Sequence, residues 1–204
     1  MRIFEDPEND FWPVHETVRR YLDEQDDLDG SIPGLTQLSR RTSIGPEAFA
    51  IRLFQPLAPN VLSRYEEIHS IHIPMQYRRV LEKINGASIF EFELFGIPPS
   101  MAQDPPLLDR SQPQPLDLAT ANQYWKFEFS APQSGFHFGG APRSLEENIG
   151  YFLGSNSIDA YRKSGELVGS WSNMKAFLSD EIARCERHYE EFEEFMCQEL
   201  KKIR

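Results

Sequence analysis

Between Ile73 and Gly96 the chain reads IPMQYRRVLEKINGASIFEFELFG, and its hydrophobic period changes in the middle. Pro74 stands where a first helical residue belongs, since its fixed φ and missing N–H cost nothing there. Tyr77, Val80, Leu81 and Ile84 follow at spacings of three and four, so they share one face of a short helix. Asn85 and Gly86 end it, with Gly86 free to take the left-handed conformation. From Ile89 the period is two. Phe90, Phe92 and Leu94 are expected on one side of a half-buried strand, with Glu91 and Glu93 on its solvent side. A helix, a tight turn and a strand in 24 residues make a nucleus that the rest of the chain must pack around.

The same residues carry a resemblance. A Pro-led helix ending in Asn-Gly, then a strand closing in Phe-Gly, resembles the signature of the SUKH superfamily, which holds the Smi/Knr cell-wall regulators of fungi and many bacterial immunity proteins. Upstream, Leu62, Tyr65, Glu66 and Ile68 are similar to the family's leading helix with its acidic position, running into Ile73-Pro74. Downstream, Tyr151-Phe152, Gly165 in a hairpin and Phe177-Leu178 after a Ser-rich start resemble its closing strands and final helix. The likeness covers about residues 57 to 185. It implies an α+β fold and a non-enzymatic protein-binding module. The bacterial branch implies an immunity protein that neutralises a toxin, often a nuclease. The fungal branch implies a regulatory scaffold, but its members usually carry long disordered flanks, and this chain has no low-complexity tail.

Charge bears on the partner. The 204 residues carry a formal charge of −11 and a pI near 4.9. A nucleic-acid binder needs basic side chains to neutralise phosphates, so that class is disfavoured, and so is an anionic membrane surface. A basic protein is the natural complement, although acidity also serves plain solubility. Hydrophobic residues make up 40% and aromatics 12%, which marks a globular chain. Its length suits one large domain, or one domain with an extension. The start, MRIFEDPENDFW, carries acids where a signal peptide wants basic and apolar runs, so the expected setting is cytoplasmic. Cys185 and Cys197 lie more than three turns apart on one expected helix and cannot pair within it.

Residues 1–56 read as an acidic helical N-terminal extension. Val14, Val18, Tyr21 and Leu22 mark an amphipathic helix from Pro13. Asp23, Glu24, Asp26, Asp27 and Asp29 then form an acidic loop. Residues 32–45 are expected to be irregular, and 46–54 to form a short helix with Phe49 and Leu53 inward. The SUKH-like domain spans 57–185. Within it, Pro98 to Pro115 holds six prolines and reads as a long surface loop. Trp125, Phe127 and Phe129 alternate with Lys126 and Glu128 and read as a strand. Short strands follow at Gly135–Gly140 and Ile149–Leu153, and a hairpin spans 158–171. Strands joined by turns, without βαβ spacing, imply a single antiparallel or mixed sheet with helices packed on it. Leu178, Ile182, Cys185, Tyr189, Phe192, Met196, Leu200 and Ile203 stripe one long final helix of about 45 Å, capped by Ser172 or Asn173. Residues 186–204 continue it beyond the domain. Its apolar stripe needs a cover there: the helix of residues 13 to 25 first, or a second copy of the chain in a homodimer.

Most candidate chemistry dissolves on inspection. His69 and His72 lie three apart with no third ligand type beside them, so surface or capping roles fit better than a metal. Glu66 and Glu67 are helix neighbours and do not face one site. His137, between Phe136 and Phe138 in GFHFGG, belongs on the opposite sheet face from them, partly exposed. GFHFGG itself lacks the Lys-Ser/Thr of a phosphate loop. Neither a catalytic residue nor a cofactor nor a metal is assigned. The residues expected to bind a basic partner are Glu91 and Glu93, then Glu66, Asp26 and Asp27. A small-molecule-binding protein or hydrolase with a pocket near Trp125, Phe136 and His137 is the alternative from another class.

Overall fold

The computed structural model describes residues 9–22, 34–40, 49–102, 113–131, 135–144 and 147–203. Their elements in chain order are α1 (Trp12–Tyr21), β1 (Leu35–Arg40), β2 (Phe49–Phe54), α2 (Pro59–His69), α3 (Met75–Leu81), β3 (Ala87–Ile89) and β4 (Phe92–Leu94). After a 3₁₀ turn (Pro99–Ala102) come α4 (Leu118–Glu128), β5 (Phe136–Ser144), β6 (Glu147–Leu153), β7 (Ile158–Arg162), β8 (Leu167–Trp171) and α5 (Met174–Ile203). Each strand pairs antiparallel with the next, giving one eight-stranded sheet in the order β1 to β8. The fold class is α+β, as the turn-linked strands imply.

Residues 35–54 depart from the expected extension. Where helix and irregular chain were expected, β1 and β2 pair through Leu38↔Ile51, and β2 joins β3 through Ile51↔Ile89. Phe49 and Leu53 suit either period in so short a run, and pairing decides it: Ile51 and Leu53 turn into the core while Arg52 turns away. The sheet is therefore continuous across residue 56. Asp26 and Asp27 lie outside the described residues, as does most of the proline-rich loop.

The central unit keeps its core and changes its shape. Tyr77, Leu81, Ile84, Phe90, Phe92 and Leu94 are all buried in one cluster. However, residues 89–94 are a hairpin, not a single strand. Ile89 pairs with Phe92, and Phe90 and Glu91 form the two-residue loop with φ of 49° and 71°. Positive φ at both loop positions is what a type I′ turn requires, normally met by Asn or Gly. The Phe90 ring lies 4.8 Å from Tyr21 of α1 and 5.0 Å from Tyr189 of α5, so packing holds the turn.

Asn85-Gly86 and Phe95-Gly96 are clasped to each other. Asn85 donates from Nδ2 to the Ile97 carbonyl and accepts the Ile97 N–H at Oδ1, each at 2.8 Å. A methyl group on Gly96 would stand 2.3 Å from the Asn85 carbonyl oxygen, and Gly86 has φ of 86°. Both glycines are required by close backbone approach.

On one face of the sheet, α3 and α5 bury Phe92, Phe138 and Tyr151 against Tyr77 and Phe177. Asn173 caps α5 by accepting the Ala176 N–H at 2.9 Å. The helix of residues 12–21 packs on α5, with Arg20 paired to Glu186 at 2.9 Å. Farther along α5, Phe195 is exposed. Cys185 is a free, buried thiol that burial pushes up to about 12. Among the described residues no helix is long and apolar enough to cross a membrane.

Candidate functional site: a carboxylate-rimmed cavity under α4

Among the described residues, the other face of the sheet is covered only in part, by α4. The strand expected at residues 125–129 is this helix. Asp117 caps it, accepting the Thr120 N–H at 2.8 Å, and Tyr65 of α2 donates to the same Asp117 at 2.7 Å. Helical spacing sets Trp125 and, just past the end, Phe129 toward the sheet, while Phe127 turns outward and is 85% exposed. Trp125, Phe129, Ala131 and Phe152 form a small second core.

His137 sits at the middle of this face and is 6% exposed, not partly open as its strand position suggested. Asn122 of α4 places it. The Asn122 amide donates to the His137 carbonyl at 2.7 Å and accepts its N–H at 3.0 Å, replacing a strand partner at the bulge between His137 and Gly139. Phe152 stacks on the imidazole at 4.6 Å, and Phe95 and Phe129 meet it edge-on at 5.0 and 5.5 Å. Among the described residues neither ring nitrogen makes a hydrogen bond of ordinary geometry, although backbone groups of Gly139 and Ala121 interact with the ring and oppose the fall of its pKa. Burial lowers its pKa to about 4, so the ring is neutral at pH 7 and one nitrogen is an acceptor.

Strand register explains the space beside it. Across the sheet on this face run Arg52, Ser88, Glu93, Gly140 and Gly150 in consecutive paired positions. Gly150 admits the rings: a methyl there would stand 2.9 Å from Phe152 and 3.0 Å from both His137 Nε2 and Phe129. Gly140 leaves open floor, and a cavity of about 230 Å³ results. Phe95, Phe129, His137 and Ile149 wall it; Glu91, Glu93 and Glu128 bring carboxylates, and Lys163 an ammonium.

Glu93 is the least solvated of the three acids. Ser88 donates to its carboxylate at 2.6 Å. Burial pushes its pKa up to about 7, against the opposing pull of Ser88 and Arg52, and Glu91 adds to the rise. A mostly buried Glu93 and a turn-borne Glu91 replace the two solvent-facing strand acids expected from the alternation.

The structure thus brings Glu91, Glu93 and His137 to one cavity, with Trp125 in the layer behind. Glu66 is elsewhere and occupied: it accepts the Ile73 N–H at 2.8 Å and binds Arg78, stapling α2 to α3. His69 donates from Nε2 to the Met101 carbonyl at 2.8 Å, and His72 is at the surface, 3.6 Å from Glu66. Phe95, Glu128, Gly140 and Lys163 were missed in the sequence. The available signal was glycine inside aromatic strands, at Gly139-Gly140 and Gly150, which marks bare sheet or close approach. Comparison with protein-family models, with curated proteins and with solved structures returns no match.

Proposed function

We propose that this chain is a non-enzymatic binding module that engages a basic protein partner through the α4 face, in the manner of a SUKH immunity protein. The observation that carries the reading is the gathering of Glu91, Glu93 and Glu128 around a walled cavity in a chain of charge −11. Exposed aromatics on the same helix, Phe127 and Tyr124, supply the apolar contact that interface centres use. The Asn85-Gly86 and Gly96 clasp gives the SUKH-like signature a structural role. A bacterial, cytoplasmic setting and a toxin encoded by an adjacent gene follow from that resemblance. An acidic inhibitor suits a basic nuclease cleft, because opposite potentials steer association.

A second reading, a small-molecule-binding protein or hydrolase, draws on Glu93 and His137 sharing the cavity, since a carboxylate titrating near 7 is in the range of a general base. Binding to the adjacent-gene product at low and high salt separates the two. The protein-binding reading expects fast, salt-sensitive association that Glu91→Lys and Glu93→Lys together abolish. Wild-type association by that double variant removes this face from the interface, and no association at all overturns the reading.

A further inference from the structure

We propose that the cavity between α4 and strands β4–β6 is the seat of a single arginine side chain of the partner, held by its guanidinium. This rests on the protein-binding reading and names the residue that enters.

Size limits the occupant first. About 230 Å³ is below the roughly 300–1,000 Å³ of pockets for cofactors and drug-sized ligands, and it suits one long side chain. The lining chemistry then selects a donor. Glu91, Glu93 and Glu128 offer only acceptor oxygens when ionised, beside a neutral His137 that is itself 6% exposed. His137 is the second observation: it lines the cavity, is 6% exposed, and among the described residues neither ring nitrogen makes a hydrogen bond of ordinary geometry. Against the three carboxylates stand the Lys163 ammonium in the lining and the Arg52 guanidinium acting on Glu93 from the next strands, so acids still outnumber bases and the cavity favours a cation.

Shape favours guanidinium over ammonium. Acceptors stand on different sides of the cavity: the hairpin turn (Glu91), the sheet floor (Glu93) and the end of α4 (Glu128). Five N–H donors in a planar fork can reach acceptors so dispersed, whereas a compact ammonium meets one or two. Phe95 and Phe129 supply flat apolar walls on which a guanidinium or its methylene stem can lie. Glu93 carries the strongest expectation of coupling. Its pKa near 7 means that a bound cation favours its ionised form, so binding releases a proton and tightens as pH rises through 7.

The test is NMR titration of the full chain with N-acetyl-arginine methylamide, its neutral isostere N-acetyl-citrulline methylamide, and agmatine. The arginine compound should move the Gly140 and Gly150 amides while the citrulline compound does not. Affinity should fall about tenfold or more in Glu93→Gln, and also in Glu128→Gln, whose surface position leaves folding undisturbed. It should also weaken from pH 8 to pH 6. Equal binding of the citrulline compound, or full binding by Glu93→Gln, overturns the guanidinium seat. Agmatine binding at least tenfold tighter than the arginine amide overturns the protein source and assigns the site to a free amine. A protein partner that associates as expected while the arginine compound leaves Gly140 and Gly150 unmoved sinks this inference alone. Arginine-compound binding without any protein partner sinks the parent reading, and with it the partner as the source of the guanidinium.

Discussion

Among the described residues, Phe92, Phe138 and Tyr151 fill the α5 face of the sheet, whereas Glu93 and Gly140 leave much of the α4 face bare. The same strands therefore carry a closed surface and an open one. On the α5 side even the polar groups are tied off: Tyr151 donates to Glu181, and Arg184 binds that carboxylate at 2.8 Å and the Pro142 carbonyl at 3.1 Å. On the α4 side a buried imidazole makes no hydrogen bond of ordinary geometry among the described residues, and a mostly buried carboxylate resists ionisation. Stability is concentrated on the first face. The second keeps a buried imidazole and a carboxylate that burial disfavours in its charged form, a local cost that proteins tend to carry at functional positions.

The sharpest way to break this contrast is to hollow the closed face. Phe177 has no exposure and meets Phe92, Phe138, Tyr151 and Trp171 at ring distances of 4.9 to 5.6 Å. Phe177→Ala should cost about 3–5 kcal/mol in denaturant melts. Leu81→Ala, on α3, should cost about 2–5 kcal/mol by the same logic. A loss under ~0.5 kcal/mol for either would mean that face is not the main core.

The open face should respond with the opposite sign and with pH. Below about pH 4.5 Glu93 is protonated in the folded and unfolded chain alike, and its contribution to stability is fully present. As pH rises through about 7 the unfolded chain ionises freely while the folded one ionises against burial, so that contribution is lost. Glu93→Gln should therefore stabilise the protein by about 2–3 kcal/mol at pH 8 and by almost nothing at pH 4. His137 works in the other direction: its neutral form supports the fold above about pH 6.5, and that support is lost as pH falls toward 4. Urea melts of wild type and Glu93→Gln across pH 4 to 8 isolate the carboxylate. A pH-independent difference would remove it from the open face.

How much of this was legible in the sequence depended on the range of the interaction that decided each element. Local rules sufficed for α3, α5 and the hairpin of β7 and β8, where period, cap and turn residues agree. They failed where pairing or capping overrode them. Phe49 and Leu53 fit a helix until Leu38 and Ile89 flank Ile51 on both sides. Trp125, Phe127 and Phe129 alternate as in a strand, yet Asp117 and Asn122 fix a helix by hydrogen bonds no period reveals. The acids Glu91 and Glu93 were legible as candidates, but their cavity was not. It arises from Gly140 standing opposite Glu93 and Gly150 opposite Gly140, a register that exists only once the strands are paired.

The smallest effect separates stability from function most cleanly. Glu91 and Phe90 hold a left-handed turn that Asn and Gly adopt more cheaply, and such strain gathers at functional positions. Phe90 has a packing reason, since its ring joins α1 to α5. Glu91 has none of that kind: it is exposed, and its described role is to line the cavity. Relief of a positive φ should outweigh the greater unfolded-state freedom of glycine, so Glu91→Gly should raise stability by about 0.5–1 kcal/mol. The same variant should weaken a cationic partner by slowing association, most visibly at low salt. A variant that is more stable and binds less would show that the strained turn is kept for its carboxylate. If Glu91→Gly instead destabilised the fold while leaving association rates intact, the acid would belong to the architecture of the hairpin and the open face would lose one of its three carboxylates.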